Sequence, residues 1–453
     1  MKLKNIFKYS MFAFLAMSLG ACTNNTDAEK IFDKTPVERI DAQKSELRTA
    51  LLSSEFGWKA VYFTDDTQLG GFTHLFKFAA DGKVQMASDF NADTKTYESQ
   101  FDVVLGSTVS VVFTTFNRIH LLSDSNNFPT AALRGKGYLG DFQFLYYGQQ
   151  ANGDILFKSN RLVRDVRFVK ATAQDWADLP KNTVSQQNLI GNSSSPLFRL
   201  LETNDGTTTK KYSFSVSQAS RYSISTALDG SGDVIRTGVA YTPTGITVSP
   251  AVVVAGQKLT DFTYNDTDKS FTATGTGGVT ASIKFSNEPL SLTDDYKLLL
   301  PGSGNNVYGY IYTITKGEAA NSQLFLTLLN DSEQAAGAML TRVQLWFNNA
   351  DGSNYIEYRF GNASGATIAR RYHYFTLTAD ATKKTVTFTP GVWKSTATAA
   401  APAIAAPSFL KTLDDQFMNP QGLYFAKTPV SGYSAYTFTS TSTPFRMVAY
   451  SFQ

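Results

Sequence analysis

Three histidines, His74, His120 and His373, and a single cysteine, Cys22, occur in 453 residues, so nucleophilic and metal chemistry have few candidates. No two histidines are near in sequence, and HExxH and G-x-S-x-G are both absent. A Ser–His–Asp set could assemble only in space, with nothing local to mark its serine. Each histidine lies in a strand-like run and is read as a structural or surface residue. Adjacent carboxylates occur at Asp65-Asp66, Asp294-Asp295 and Asp414-Asp415. A glycosidase needs two carboxyls about 5–9 Å apart across a cleft, whereas neighbours on a strand point to opposite faces. These pairs read as solvated turn or helix-start residues. Oxygen-rich turns at Asp229–Asp233 and Asp266–Asp268 hint at calcium but lack the full loop spacing and its terminal Glu. Gly135-Lys136-Gly137-Tyr138-Leu139-Gly140 matches G-x-G-x-x-G. Period-two sequence follows it, so a turn before a strand is expected, not a phosphate cradle opening a helix. These motifs assign no catalytic residue, metal or cofactor.

The richest chemistry is aromatic. In Val307-Tyr308-Gly309-Tyr310-Ile311-Tyr312 three tyrosines alternate with small and aliphatic residues, and Arg371-Tyr372-His373-Tyr374 repeats the pattern with polar partners. Rigid rings that also hydrogen-bond make good contact surfaces for sugars, lipids or proteins. Tyr308, Tyr310, Tyr312, Tyr372 and Tyr374 are therefore the candidate ligand-binding residues. The competing reading is that they form the inner layer of a sandwich or barrel.

Cys22 stands after a leader. Lys2, Lys4 and Lys8 form a basic start, and Met11 to Leu19 is an apolar run too short to span a bilayer about 30 Å thick. Leu19-Gly20-Ala21-Cys22 resembles a bacterial lipobox, which implies cleavage before Cys22 and a lipid on its thiol. Residues 1–21 are then a lipoprotein signal peptide and 22–33 a lipidated tether, in which Asp27 and Glu29 are separated and not adjacent to Cys22, so they do not decide between surface and periplasmic face. Lipidation of the only cysteine leaves none for a disulfide, zinc-thiolate or cysteine nucleophile. Without the leader, Lys plus Arg falls from 41 to 38, against 38 Asp plus Glu. A neutral chain with no basic run is a poor nucleic-acid binder.

The elements that must position these residues are mostly strands. Aromatic residues make up 13% and charged residues 17% of the chain, a balance that favours sheet. Thr35-Pro36-Val37-Glu38 is a capping box opening a helix over 35–53, with Val37, Ile40, Leu47 and Leu51 on one face. From Trp58 to about Lys170 the period becomes two, with Asp81-Gly82 and Asn152-Gly153 as hairpin turns. Runs such as WKAVYF, KVQMAS, VSVVF and IHLL read as strands of a meander, and Thr172 caps a brief helix that Pro180 stops. The expected fold is mainly β: antiparallel barrel- or sandwich-like domains with an N-terminal capped α-helix. The expected division is a helix-plus-meander domain over 34–180, an Asn/Ser-rich connector over 181–210, a middle β region over 211–290 and a C-terminal β domain over 291–453. The last includes VYGYIYTIT and SQLFLTLL as strands, an exposed Ala/Pro/Thr-rich loop at 395–407, and a helix near Phe409–Phe417.

Four segments together, FDKTPVERIDAQKSELRTALLSSEFGWKAVYF, FKFAADGKVQMASDF, LGDFQFLYYGQQANGDILFKSNR and VAYTPTGITVSPAVVVAGQKLTDFTYN, resemble an uncharacterised Bacteroidetes lipoprotein family, domain-of-unknown-function family 4302. The resemblance covers about residues 31–270. It implies an outer-membrane, lipid-anchored protein, on either the surface or the periplasmic face, working beside outer-membrane uptake-receptor proteins, and supplies no catalytic residues. A non-catalytic binding or accessory role in glycan or peptide capture is the expectation; surface adhesion or an envelope hydrolase are its alternatives. A transmembrane barrel is disfavoured by the short strands.

Overall fold

The computed structural model describes residues 35–452, apart from 107, 193–194, 363, 365, 399 and 429–432. The leader, the tether and Cys22 lie outside the described residues.

Thr35 accepts from the Glu38 backbone at 3.3 Å while Glu38 takes the Thr35 N–H at 2.8 Å, so the capping box forms and the helix runs Pro36–Leu52. Leu47, Ala50 and Leu51 face the core; Val37, expected on that face, is 66% exposed. The Trp58 indole donates to Leu51 O at 2.9 Å and fastens the helix end to the first strand, Trp58–Phe63.

Eight antiparallel strands from Trp58 to Lys170 follow one another around a closed barrel, and the last, Asp165–Lys170, returns to pair Lys170 with Trp58. Closure removes both sheet edges. Its interior is a stack of rings, with Phe76 against Phe168 at 4.9 Å and against Phe113 at 5.1 Å. IHLL, expected as a strand, is the 3-10 helix Arg118–Leu122. Asn117 caps it, and its Ile119 and Leu122 are buried in the barrel.

The stretch 181–210 is not a connector. Helix Lys181–Ile190 follows Ala173–Asp178 directly, with Asn182, Ser185 and Leu189 on its buried face. Strand Phe198–Asp205 then pairs with both Thr209–Ser217 and Val279–Ser286, closing a second eight-stranded antiparallel barrel. The middle β region is therefore a barrel that takes its first strand from the supposed connector.

The third unit is a nine-stranded antiparallel sheet in which Asn306–Ile311 pairs with the final strand, Arg446–Phe452. Thr367–Asp380 also pairs with Thr385–Lys394, so the sheet curls back on itself around its own aromatic core. SQLFLTLL is no strand. Ser322 caps helix Gln323–Ala336 through the Phe325 N–H at 3.1 Å, and Gly337, at φ 64°, ends it. Phe325, Leu329 and Ser332 form its buried face at i, i+4 and i+7. No helix among the described residues is long and apolar enough to cross a membrane.

Candidate functional site at the seam between the barrels

The two barrels meet along strand Gly71–Phe78 of the first and strand Val234–Thr242 of the second. The approach is close enough that a side chain on Gly70 would overlap the Arg221 and Val239 carbonyl oxygens, and Gly70 N–H donates to Ser220 O at 2.8 Å. Arg221 crosses this seam. Its guanidinium lies over Phe72 at 4.1 Å and Tyr241 at 4.9 Å, donates to Gly71 O at 3.0 Å and Asp89 Oδ1 at 3.2 Å, and also meets Asp89 O. Asp89 in turn accepts from Thr73 N–H at 2.9 Å and from Asn182 Nδ2 at 2.9 Å. Arg221 sits at φ 49°, a backbone region that a non-glycine residue occupies only when its surroundings hold it there.

Above this ion pair opens a cleft of about 620 Å³. Its apolar wall is a triangle of rings: Phe72 and Phe90 at 5.2 Å, Phe72 and Tyr138 at 5.5 Å, Phe90 and Tyr138 at 5.0 Å. Three separate segments supply its polar rim, with Asn91 after the third strand, Thr183, Gln186 and Gln187 from helix Lys181–Ile190, and Gln218 from a hairpin of the second barrel. Burial raises the Tyr138 phenol above its ordinary value, against the opposing charge of Arg221, so it stays a neutral donor. Among the described residues lining the cleft there is no carboxylate, and its one cation is already committed to Asp89. Rings plus amides can stack on and hydrogen-bond a neutral amphipathic ligand such as a sugar or peptide.

The five tyrosines singled out by sequence are elsewhere, and they do not form one surface. Tyr308 and Tyr310 point into the third sheet, 2% and 0% exposed, and contact Phe425 and Phe325. Tyr312 has left the strand and begins the short helix Tyr312–Thr315. Tyr372 and Tyr374 lie on the opposite face of the sheet beside Tyr355, at 5.5 and 5.2 Å, where Tyr372 is still buried at 4% exposure and Tyr374 donates to Ala397 O at 3.0 Å. Alternation within one strand correctly places Tyr308 with Tyr310, but it cannot say which face is inside.

The remaining motifs resolve into structural roles. Tyr138 N–H and Gly140 N–H both donate to Leu122 O and Lys136 N–H to Leu133 O, so the glycine-rich run is a turn with these three donors turned to the protein's own backbone. Lys210 Nζ lies 2.5 Å from Asp233 and 3.2 Å from Asp229, placing an ammonium where a calcium reading would place the ion. Asp65 and Asp66 both face Arg164, and Asp66 also accepts from Ser249 of the second barrel at 2.8 Å. His373 does meet a carboxylate, Asp414, at 2.9 Å, but Asp414 takes its other hydrogen bond from Tyr358 at 2.7 Å. Trp393 stacks on the imidazole at 4.4 Å and the histidine is 3% exposed, so a substrate has no approach. His120, expected in a strand, belongs to the 3-10 helix and stacks on Phe142 at 4.8 Å.

Sequence reasoning missed the seam because Phe72, Phe90, Tyr138 and Arg221 come from four distant segments. The usable signals were Gly70-Gly71 at the start of a strand run, which marks a close backbone approach, and Tyr241, whose ring packs on Arg221.

Residues 28–266 match the family described as a domain of unknown function, DUF4302. None of the curated proteins matches this chain. Among solved structures, "The Structure of Intact Ap-TbpB (N and C lobes)" aligns with 87% of this chain and 75% of that one at 12% identity, with a TM-score of 0.12, too low to carry any argument.

Proposed function

The chain belongs to the DUF4302 family of unknown function, and since the matched residues 28–266 take in the first barrel and every residue lining the seam cleft, we propose that the seam cleft is a ligand-capture site. The protein is a lipid-anchored envelope protein that binds a neutral glycan or peptide without transforming it, as an accessory to outer-membrane nutrient uptake. The observation that carries this reading is the cleft of about 620 Å³, walled by Phe72, Phe90 and Tyr138 and rimmed by amides. Large pockets of apolar wall and few convergent polar groups are the usual form of a binding site. General acid–base work needs a titratable group facing the ligand, and the described lining offers none besides the neutral Tyr138 phenol. The lipobox at Leu19–Cys22 supports anchoring, which would hold the cleft at the membrane and raise its effective concentration near receptor partners.

The test is retention of neutral oligosaccharides and peptides on an array by the chain truncated after Cys22, with Phe90→Ala in parallel. Retention that falls in the variant supports capture. Failure of every probe to bind, or turnover of a bound one, overturns it. Co-purification of uptake-receptor subunits with the full lipoprotein from membranes tests the accessory role.

A further inference from the structure

The outer face of the third sheet carries a row of like charges. Arg342, Arg359 and Arg370 stand on three adjacent strands, Arg342 opposite Arg359 and Arg359 opposite Arg370. Like charges directly across a sheet repel unless something answers them. Within the protein the answer is one carboxylate. Glu357, 2% exposed, accepts from Arg359 Nε at 3.0 Å and Nη2 at 2.9 Å and lies 3.5 Å from Arg370 Nε. Gln344 Oε1 takes a further Arg359 donor at 3.3 Å. Arg359 is thus locked in place with its charge shared.

Arg342 is different. Among the described residues no carboxylate forms an ion pair with it; its guanidinium only lies over Phe452 at 5.8 Å. Burial, Arg359 and Arg370 push against its charge, and Glu357 at longer range only partly offsets them. The strand register slips between Leu340 and Arg342, a bulge of the kind that re-aims side chains. Beside it lies a pocket of about 250 Å³ lined by Arg342, Arg359, Tyr312, Thr313 and Thr341. Lys316 adds a further cation over the Tyr312 ring at 4.4 Å. The volume falls below the roughly 300–1,000 Å³ of sites that swallow a whole drug-sized ligand, so it suits a single charged group.

We infer that this pocket binds an oxyanion, the carboxylate or phosphate of a small ligand, through the free fork of Arg342 with Arg359 and the Thr313 hydroxyl as further donors, the Thr341 hydroxyl being spent on Arg359 O at 3.0 Å. A planar guanidinium matches both groups bidentately. The site is independent of the seam cleft, which lies between the other two units.

The test titrates the purified chain at low ionic strength with inorganic phosphate and with glucuronate separately, and with glucose as the uncharged control, by calorimetry. Saturable binding of phosphate or glucuronate is expected, and the tighter of the two identifies the group. Arg342→Gln should weaken it about tenfold or more, and Arg342→Lys, which keeps charge but loses the fork, should weaken it too. Thermal unfolding of each variant separates lost binding from lost fold, and Arg342→Lys serves if the Gln variant does not fold. The inference is overturned if neither anion saturates, if glucose binds as well, or if the folded variants bind as the parent does.

Discussion

Arg221 of the second barrel and Asp89 of the first form an ion pair 3.2 Å long with side chains only 4% and 2% exposed. The residues are 132 positions apart, and their pairing joins the two barrels through Asn182 of the intervening helix. A buried pair is poor evidence of net stability, since desolvation opposes its attraction. It is strong evidence of a fixed geometry, because both Asp89 carboxylate oxygens and the Arg221 guanidinium find partners from both barrels and the helix between them only in this docking.

Removing one member strands the other. Asp89→Leu or Arg221→Met alone should cost about 3–5 kcal/mol in urea unfolding. The double variant should cost less than the sum, since no uncompensated charge then remains. Additive losses would show that the two side chains do not interact.

His74 is the strongest conflict in the first barrel. It lies between Phe72 and Phe76 on the inward side of its strand, stacked on Phe76 at 5.9 Å, and both ring nitrogens are buried without a partner. Burial, with Arg221 and Arg118 nearby, holds the imidazole down to about 3. Between that value and the ordinary 6.5 the unfolded chain binds a proton that the folded one refuses. Stability should therefore fall as pH drops below about 6.5, by up to about 1.4 kcal/mol per unit, and level off below about 3. Urea midpoints between pH 7 and 5, where most carboxylates stay ionised, read the histidines; burial also lowers His120, so the His74 share is the difference between parent and His74 variant. His74→Leu should flatten the slope and raise stability at pH 5; an unchanged slope would remove His74 as its source.

Tyr310 separates core from contact surface. Its hydroxyl is buried with no hydrogen-bond partner, and burial pushes the phenol far up. Tyr310→Phe should be neutral or stabilising by about 1 kcal/mol, because it deletes an unsatisfied polar atom. Tyr310→Ala should cost about 3–5 kcal/mol through the cavity beside Phe325. Thermal melts decide it, and a destabilised Phe variant would mean the hydroxyl has a partner.

Phe90 is only partly buried, yet it contacts both Phe72 and Tyr138. Phe90→Ala should weaken capture of a cleft ligand about tenfold while leaving the melting temperature within a few degrees. Equal retention by the variant would move the site away from the ring triangle.

Cys22→Ser should release the protein from membranes into the soluble fraction, since the proposed anchor is the lipid on that thiol. Fractionation with mass spectrometry of the mature N-terminus checks it; a membrane-bound variant would require another anchor.

What the sequence determined by itself is what can be read within a dozen residues. The capping box at Thr35–Glu38 closes on its own atoms, and the period-two runs with Asp81-Gly82 and Asn152-Gly153 turns make neighbouring strands pair. Successive hairpins therefore led to an antiparallel, edge-free fold. Short apolar runs were ambiguous. Leu324–Leu329 has strand-like composition, but Ser322 and Gly337 cap it as a helix whose buried face packs inside the third sheet, and the same ambiguity hid the 3-10 turn at Arg118–Leu122. The packing of distant segments decided that Phe198–Asp205 closes a barrel with Val279–Ser286, that Tyr308 and Tyr310 face the aromatic core while Tyr372 and Tyr374 take the other face of the sheet, and that Arg221 reaches Asp89. Hydrogen bonds within a turn depend on neighbours in the chain. Which face of a sheet is buried, and which distant charge answers another, depends on what the rest of the molecule packs against it.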